Sequence, residues 1–207
     1  MFGFNQDPIQ FVNLIAANLR DRYLAGFPIL KELIQNSDDA PASELHYGLS
    51  PGLPNAEHPL LQGPGFFVIN NGKFKPSDAL GIRSFGQNTK AADQSSIGKF
   101  GLGMKSVFHL CETFFFLAHD GEKTYTEVLN PWSGTDPEQT LHNEWNVFSN
   151  IDAQSIKSHL SAVIADLSSD PNQCFILWLP LRQKEHLLLP SGEWAGSIVS
   201  EYPGDDP

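Results

Sequence analysis

One stretch of this chain, Lys31-Glu32-Leu33-Ile34-Gln35-Asn36-Ser37-Asp38-Asp39-Ala40, spaces polar groups as a helix would need to aim them together. At about 100° per residue, Glu32, Asn36 and Asp39 fall within about 60° of one another, with Leu30, Leu33 and Ile34 turned the other way. One face packs, and the other offers a carboxylate, an amide oxygen and a second carboxylate. A positioned carboxylate is a general base, and hard oxygen ligands of this kind suit a magnesium ion bridging phosphates. The same row also fits an ordinary solvated helix face. A second group is the glycine cluster Ile97-Gly98-Lys99-Phe100-Gly101-Leu102-Gly103-Met104-Lys105-Ser106. Three glycines ahead of a helix let backbone N–H groups approach phosphate oxygens, or let a helix pack closely on a sheet. The cluster nearly matches the P-loop pattern G-x-x-x-x-G-K-S/T, but Met104 stands between Gly103 and Lys105 and turns the lysine about 100° away. It is not a dinucleotide fingerprint either, because Gly101-Leu102-Gly103 is followed by Ser106 where a glycine is needed. A third feature is Phe67-Val68-Ile69-Asn70-Asn71-Gly72, a polar amide closing an apolar run. It can point into a pocket or serve as turn chemistry.

These groups must be carried by the elements around them. Asp7-Pro8 opens a helix in which Ile9, Val12, Ile15, Leu19 and Tyr23 recur at helical spacing up to about Leu24. Pro28 starts a second helix through Asp39, and Pro41 ends it. Leu45, Tyr47 and Leu49 alternate as in a half-buried strand. A proline- and glycine-rich loop follows, and then a buried strand over residues 65–70. Residues 73–96 lack a clear period and read as a long mobile loop with one short helix; a loop of that length is usually functional. A helical stretch leads into Leu110. Phe114–Ala118 and Thr124–Leu129 form a hairpin across Asp120-Gly121. Asp152 caps a helix with Ile156, Leu160, Val163, Ile164 and Leu167 on one face, and residues 174–181 form another buried strand. There are no internal repeats. The class is α+β, with sheet and helices in two layers.

Composition narrows the function. The 207 residues suit one domain. A charged fraction of 18% with 15 Phe and 4 Trp excludes a disordered chain and a coiled coil. No apolar run approaches the roughly 18 residues of a membrane span. Two cysteines, Cys111 and Cys174, are too few for a disulfide framework or a zinc cage, so a cytoplasmic setting is expected. Cys111 reads as core rather than nucleophile, and the histidines have no metal-ligand spacing. A net charge of −11 argues against nucleic acid as partner. Within that acidic chain, Lys73, Lys75, Arg83, Lys90, Lys99 and Lys105 stand against only Asp78 and Asp93.

In order, E-x-x-x-N-x-x-D-A, a strand ending in a polar residue and glycine, and a long loop closing on G-x-x-G-x-G resemble the motifs of the GHKL ATPases. That superfamily includes gyrase, the ninety-kilodalton heat-shock chaperones, histidine kinases and the MutL proteins, and shares the Bergerat fold. Glu32, Asn36, Asp39 and Ala40 match the first motif, Asn70 and Gly72 the second, and Gly98, Gly101 and Gly103 the third. The run from Ile97 to Leu110 is most similar to chaperone-type members and to sacsin-like ATP-binding domains. Two departures stand out. Asn70 replaces the aspartate that reads the adenine amino group, with Phe74 at the motif's later glycine. The last strand opens on Gln173-Cys174-Phe175, where the family often has Gly-Thr.

The resemblance implies a two-layer α/β sandwich, a mixed, mostly antiparallel sheet covered on one face by helices. It implies a single ATP-binding domain over 1–207, the N-terminal part of a longer protein, with 73–96 as lid. Glu32 would be the general base, and Asn36 would hold magnesium. Nucleotide contacts would come from Asn36, Asp39, Ala40, Asn70, Gly72 and Phe74, from Lys90, and from Gly98, Lys99, Phe100, Gly101, Leu102, Gly103, Met104 and Lys105. The implied function is magnesium-dependent ATP binding and slow hydrolysis driving lid closure in a chaperone-like or remodelling protein; the alternative is a nucleotide-gated interaction module with little turnover. ATP and ADP, a protein client or downstream domains, and a nucleotide-dependent homodimer are the partners it implies, with neither nucleic acid nor membrane among them. An amide can present either a C=O or an NH₂. Weaker ATP binding and poorer rejection of GTP than with aspartate are therefore expected from Asn70.

Overall fold

The structure is a computed structural model that describes residues 28–83, 104, 106–131, 144–167, 174–183 and 186. The expected first helix, and most of the glycine loop, lie outside the described residues. Helix α1 (Pro28–Asp39) matches the sequence reading, with proline at its first position. Strands β1 (Leu45–Ser50), β2 (Gly65–Asn70), β3 (Phe114–His119), β4 (Thr124–Leu129) and β5 (Phe175–Pro180) form one sheet in the order β1-β2-β5-β3-β4. Every neighbouring pair is antiparallel. The expected α+β class is thus observed.

The sheet is buried on both sides. Phe114, Phe116, Phe175, Leu177 and Leu179 point to the side of α1, whose Ile29 and Leu33 pack there. Phe115, Leu117, Ile176 and Trp178 point to the other, against helices α2 (Pro59–Gln62), α4 (Asn150–His159) and α5 (Ser161–Asp166). The sequence reading placed helices on one face; the structure adds a covering layer on the second. This explains why β3 and β5 read as unbroken apolar runs, since central strands covered on both faces have no polar side to show. Strand β1 differs from expectation. It lies at the sheet edge, and its Tyr47 and Leu49 are 53% and 62% exposed.

Local corrections have simple causes. The proline- and glycine-rich loop contains α2, and Leu53, Ala56, Leu60 and Leu61 bury in the second core. Residues 73–96 include helix α3 (Pro76–Arg83), whose Ala79 and Ile82 are buried; the rest of the stretch beyond that helix lies outside the described residues. The segment leading into Leu110 is a 3₁₀ turn, Ser106–His109, rather than an α-helix. Helix α4 is capped by Ser149, not Asp152. Asp152 sits at the third helical position and completes a capping box. The helical stretch then breaks at Leu160 to give α5.

Asp152 also ties the layers together. Its Oδ1 accepts the backbone N–H groups of Glu57 and His58 at 2.7 and 3.0 Å. His58 caps α2, its Nδ1 accepting from the N–H of Leu60, while its Nε2–H donates to the carbonyl of Trp145 at 3.0 Å. That network requires a neutral ring, and burial holds the His58 pKa below its ordinary 6.5. On the α1 side, the buried Arg182 guanidinium pairs with Glu112 and donates to the carbonyls of Phe108 and Cys111. Its backbone N–H donates to the carbonyl of Leu110. The end of β5 is thereby clamped to the turn that follows the glycine cluster.

Two outcomes follow. Glu112→Ala removes the carboxylate beside a buried guanidinium and should cost about 3–5 kcal/mol of stability in urea unfolding. Unfolded chains protonate His58 near 6.5 whereas the folded ring resists. The unfolded state therefore binds more protons just below that pH, and stability should fall as pH drops from 6.5. Denaturation at stepped pH should show a shallower decline in His58→Gln than in the parent.

Candidate functional site

Ile29, Leu33, Asn36 and Ser37 follow one another on α1 at intervals of four, three and one, and all are buried. The stripe that fastens the helix to the sheet thus turns polar over its last turn. Ile34, expected to pack, is 47% exposed. Asn36, expected among carboxylates on the opposite face, belongs to the buried one.

Beneath this end of α1 the chain leaves β2. The Oδ1 of Asn70 accepts the N–H of Gly72 at 3.0 Å, and its Nδ2 donates to Ser37 Oγ at 3.2 Å. The Ser37 hydroxyl donates in turn to the carbonyl of Leu33 at 2.9 Å. Asn71 staples the helix exit: its Oδ1 accepts from the N–H groups of Ser43 and Glu44 at 2.9 and 3.0 Å. The N–H of Lys73 donates to the Ala40 carbonyl at 3.0 Å. Gly72 is required by close approach, because a Cβ there would lie 2.7 Å from that carbonyl oxygen and 2.8 Å from Ala40 Cβ.

A small cleft, open to solvent, lies between these elements. Leu33, Asn36, Ser37 and Ala40 form the helix wall, Val68, Asn70, Gly72 and Phe74 the wall from β2 and its exit, and Phe175 and Leu177 of β5 the floor. Met104 is buried and also lines the cleft, and Lys73 and Asp78 add one charge of each sign. Phe74, at the position where the resemblance has glycine, is a core anchor stacked on Phe175 at 5.8 Å and edge-on to Tyr125 at 5.1 Å. Both amide atoms of Asn36 are buried and lack a hydrogen-bond partner among the described residues. Native proteins rarely leave such a group unpaired, and a ligand is one reason they do.

The structure therefore brings Asn36, Ala40, Asn70, Gly72, Phe74 and Met104 to one place. Glu32 and Asp39 are half-buried on the same helix but do not line the cleft. Lys90, Gly98, Lys99, Phe100, Gly101, Leu102, Gly103 and Lys105 lie outside the described residues. Sequence reasoning missed Ser37, Lys73, Asp78, Phe175 and Leu177. Ser37 was recoverable, since it stands four residues after Leu33 on the packing stripe. The β5 residues were not, because nothing local says which strand lies beneath α1. Cys111 is a core residue as expected, its thiol donating to the Val107 carbonyl and its pKa pushed up by burial. Among the described residues, no three His, Cys, Asp or Glu side chains could jointly hold a metal, and no helix is long and apolar enough to cross a membrane.

An antiparallel sheet covered by helices, with a cleft between a helix end and a strand exit, defines an α+β domain. Residues 10–188 match the Sacsin domain family, and the chain belongs to it. It is 37% identical over 116 residues to the human (Homo sapiens) protein named Sacsin, a match covering 53% of this chain and 2% of that much longer protein.

The Asn36 amide, without a partner among the described residues, gives a stability prediction. A buried amide without a partner costs about 1–3 kcal/mol, so Asn36→Leu, close in volume, should stabilise the ligand-free protein by about 1 kcal/mol. Thermal unfolding of both proteins checks this.

Proposed function

We propose that this chain is a GHKL-type, Bergerat-fold ATP-binding domain that hydrolyses ATP slowly with magnesium. Its nucleotide-dependent closure would serve a chaperone-like or remodelling step within a larger cytoplasmic protein. The observation that carries this reading is Asn36. It is the residue assigned to magnesium by its motif, and it is a buried amide, without a partner among the described residues, on the wall of a cleft. Its Oδ1 is a hard oxygen donor, and magnesium takes few protein oxygens beside phosphate and water. Gly72 and Asn70 complete the argument, since the close packing of the strand exit under α1 builds the cleft that the second motif would need. Bound magnesium would neutralise charge on the phosphates. For its own part the protein offers Asn36 as ligand, a cation at Lys73, and Glu32 one helical turn before Asn36 as acceptor of a water proton.

A second reading, a nucleotide-gated interaction module with little turnover, is favoured by one fact. Glu32 is not on the cleft wall. Phosphate release and ATP titration separate the two. On the first reading, Glu32→Ala keeps ATP affinity within a few-fold and lowers turnover by ~10²–10⁴. Asn36→Ala weakens ATP when magnesium is present and matters little when it is chelated. If the parent binds ATP but releases phosphate no faster than Glu32→Ala, the second reading holds. If the parent does not bind ATP, both fall.

A further inference from the structure

On the α1 side of the sheet, Val68, Leu177 and Phe116 of the inner strands are buried, but β1 is left bare. Tyr47 and Leu49 stand opposite Val68 and Phe66 in the antiparallel register, so their side chains point to the α1 side. Both are exposed, and the half-buried Phe66 lies with its ring 6.2 Å from that of Tyr47. Above them, Leu30 and Ile34 share a flank of α1 with Ser37, which bonds Asn70 of β2. That flank therefore faces the β1 side, whereas Asn36 faces the cleft on the other. Leu30 is half-buried and Ile34 exposed. An apolar trough thus runs along the flank of α1, over a strand that carries neither lysine nor proline, the usual guards of an open edge. Contiguous apolar surface of this kind marks a contact.

We propose that the trough is the docking surface of this chain's own N-terminal segment, with the stripe of Ile9, Val12, Ile15, Leu19 and Tyr23 laid along it. That segment lies outside the described residues and ends where α1 begins, at Pro28. Ala40 and Gly72 meet at the exit of β2, and Leu33 and Val68 line the cleft together, so α1 runs back along β2. Pro28 accordingly stands toward the Phe66 and Leu49 end of the sheet. Only Ala25, Gly26 and Phe27 separate α1 from the helical pattern of residues 8–24. So short a connection returns the chain antiparallel beside its neighbour. A helix over 8–24 is about 25 Å long at ~1.5 Å per residue, enough to span β1 at about 20 Å. The stripe falls within about 120° of the helix surface, an apolar face that needs an apolar seat. Of the two flanks of α1, the one with Asn36 and Lys73 is polar, and the one with Leu30 and Ile34 matches. The helix that carries Asn36 is then braced from the side away from the cleft.

Amide hydrogen exchange of the intact chain tests this in four forms: parent, a trough variant (Tyr47→Ser with Leu49→Ser), a stripe variant (Ile15→Ser with Leu19→Ser), and the two combined. An isolated helix of this length is marginal in water, so protection over residues 9–23 reports docking. The parent should protect these amides equally at high and low protein concentration. The trough variant should speed their exchange by about ten-fold or more, the loss expected when buried apolar side chains are removed, and leave β3 and β5 unchanged. Adding the stripe changes should give less than the product of the separate effects, because residues in contact are not additive. A control in Val147 and Ile151, exposed apolar residues at the start of α4, both changed to Ser, should have no effect on residues 9–23. If β3 and β5 also exchange faster in the trough variant, Ile34→Ser takes its place. Unprotected amides in the parent overturn the proposal, as does a trough variant that exchanges like the parent, a control that loosens the segment equally, or full additivity. Protection that disappears on dilution assigns the trough to a second copy of the chain and overturns it too.

Discussion

A helix cannot choose which part of a buried stripe to bury. Once Ile29 and Leu33 are pressed on the sheet, the 3.6-residue repeat carries Asn36 and Ser37 to the same side. This one constraint organises the site. It forces two polar side chains into a poorly solvated space where each must find a partner. Ser37 finds one within its own helix and another in Asn70, and Asn36 finds none among the described residues. The cleft is the remainder of a packing contact that stops being apolar one turn before the helix ends.

The strand exit is shaped by the same contact. For the chain to pass under the end of α1, residue 72 must lack a Cβ, and Lys73 must give its N–H to Ala40. Asn70 and Asn71 then divide the work of the turn. The first faces the cleft and closes on Gly72; the second faces the helix exit and holds Ser43 and Glu44. Below, Phe175 and Leu177 supply a flat apolar floor, and Phe74 packs against that floor from its edge. An apolar pocket with a few fixed polar groups is the usual form of a small-molecule site.

Two further features hold this arrangement in place. Arg182 joins the end of β5 to the carbonyls of the 3₁₀ turn, so the segment after the glycine cluster is referenced to the strand that floors the cleft. On the opposite face, Asp152 caps α4 with one oxygen and holds the α2 loop with the other. Both are buried charges, Arg182 paired with Glu112 and with backbone carbonyls and Asp152 held by backbone N–H groups and the Ser149 hydroxyl, so they fix position more than they add net stability.

The amino-acid order alone determined the elements whose signals are local. Pro28 to Asp39 as a helix, the hairpin over Asp120-Gly121, and strands at residues 65–70 and 175–180 follow from periodicity, proline and turn chemistry. Asn36, Ala40, Asn70 and Gly72 were grouped by the resemblance of their motifs to a known family; helical spacing alone grouped Asn36 with Glu32 and Asp39. Only the tertiary structure decided which face of α1 is buried, because the arc containing Glu32, Asn36 and Asp39 and the arc containing Ile29, Leu33 and Asn36 overlap at Asn36, and only the sheet selects between them. Strand order likewise decided that β1 lies at the edge with Tyr47 and Leu49 exposed, although its alternation looked half-buried. The capping of α4 by Ser149 and the partners of Asn70 depend on distances across 33 residues or on a choice between adjacent polar side chains. Local pattern sets what a residue can do; contacts between distant segments set which of its groups are already engaged and which remain for a ligand.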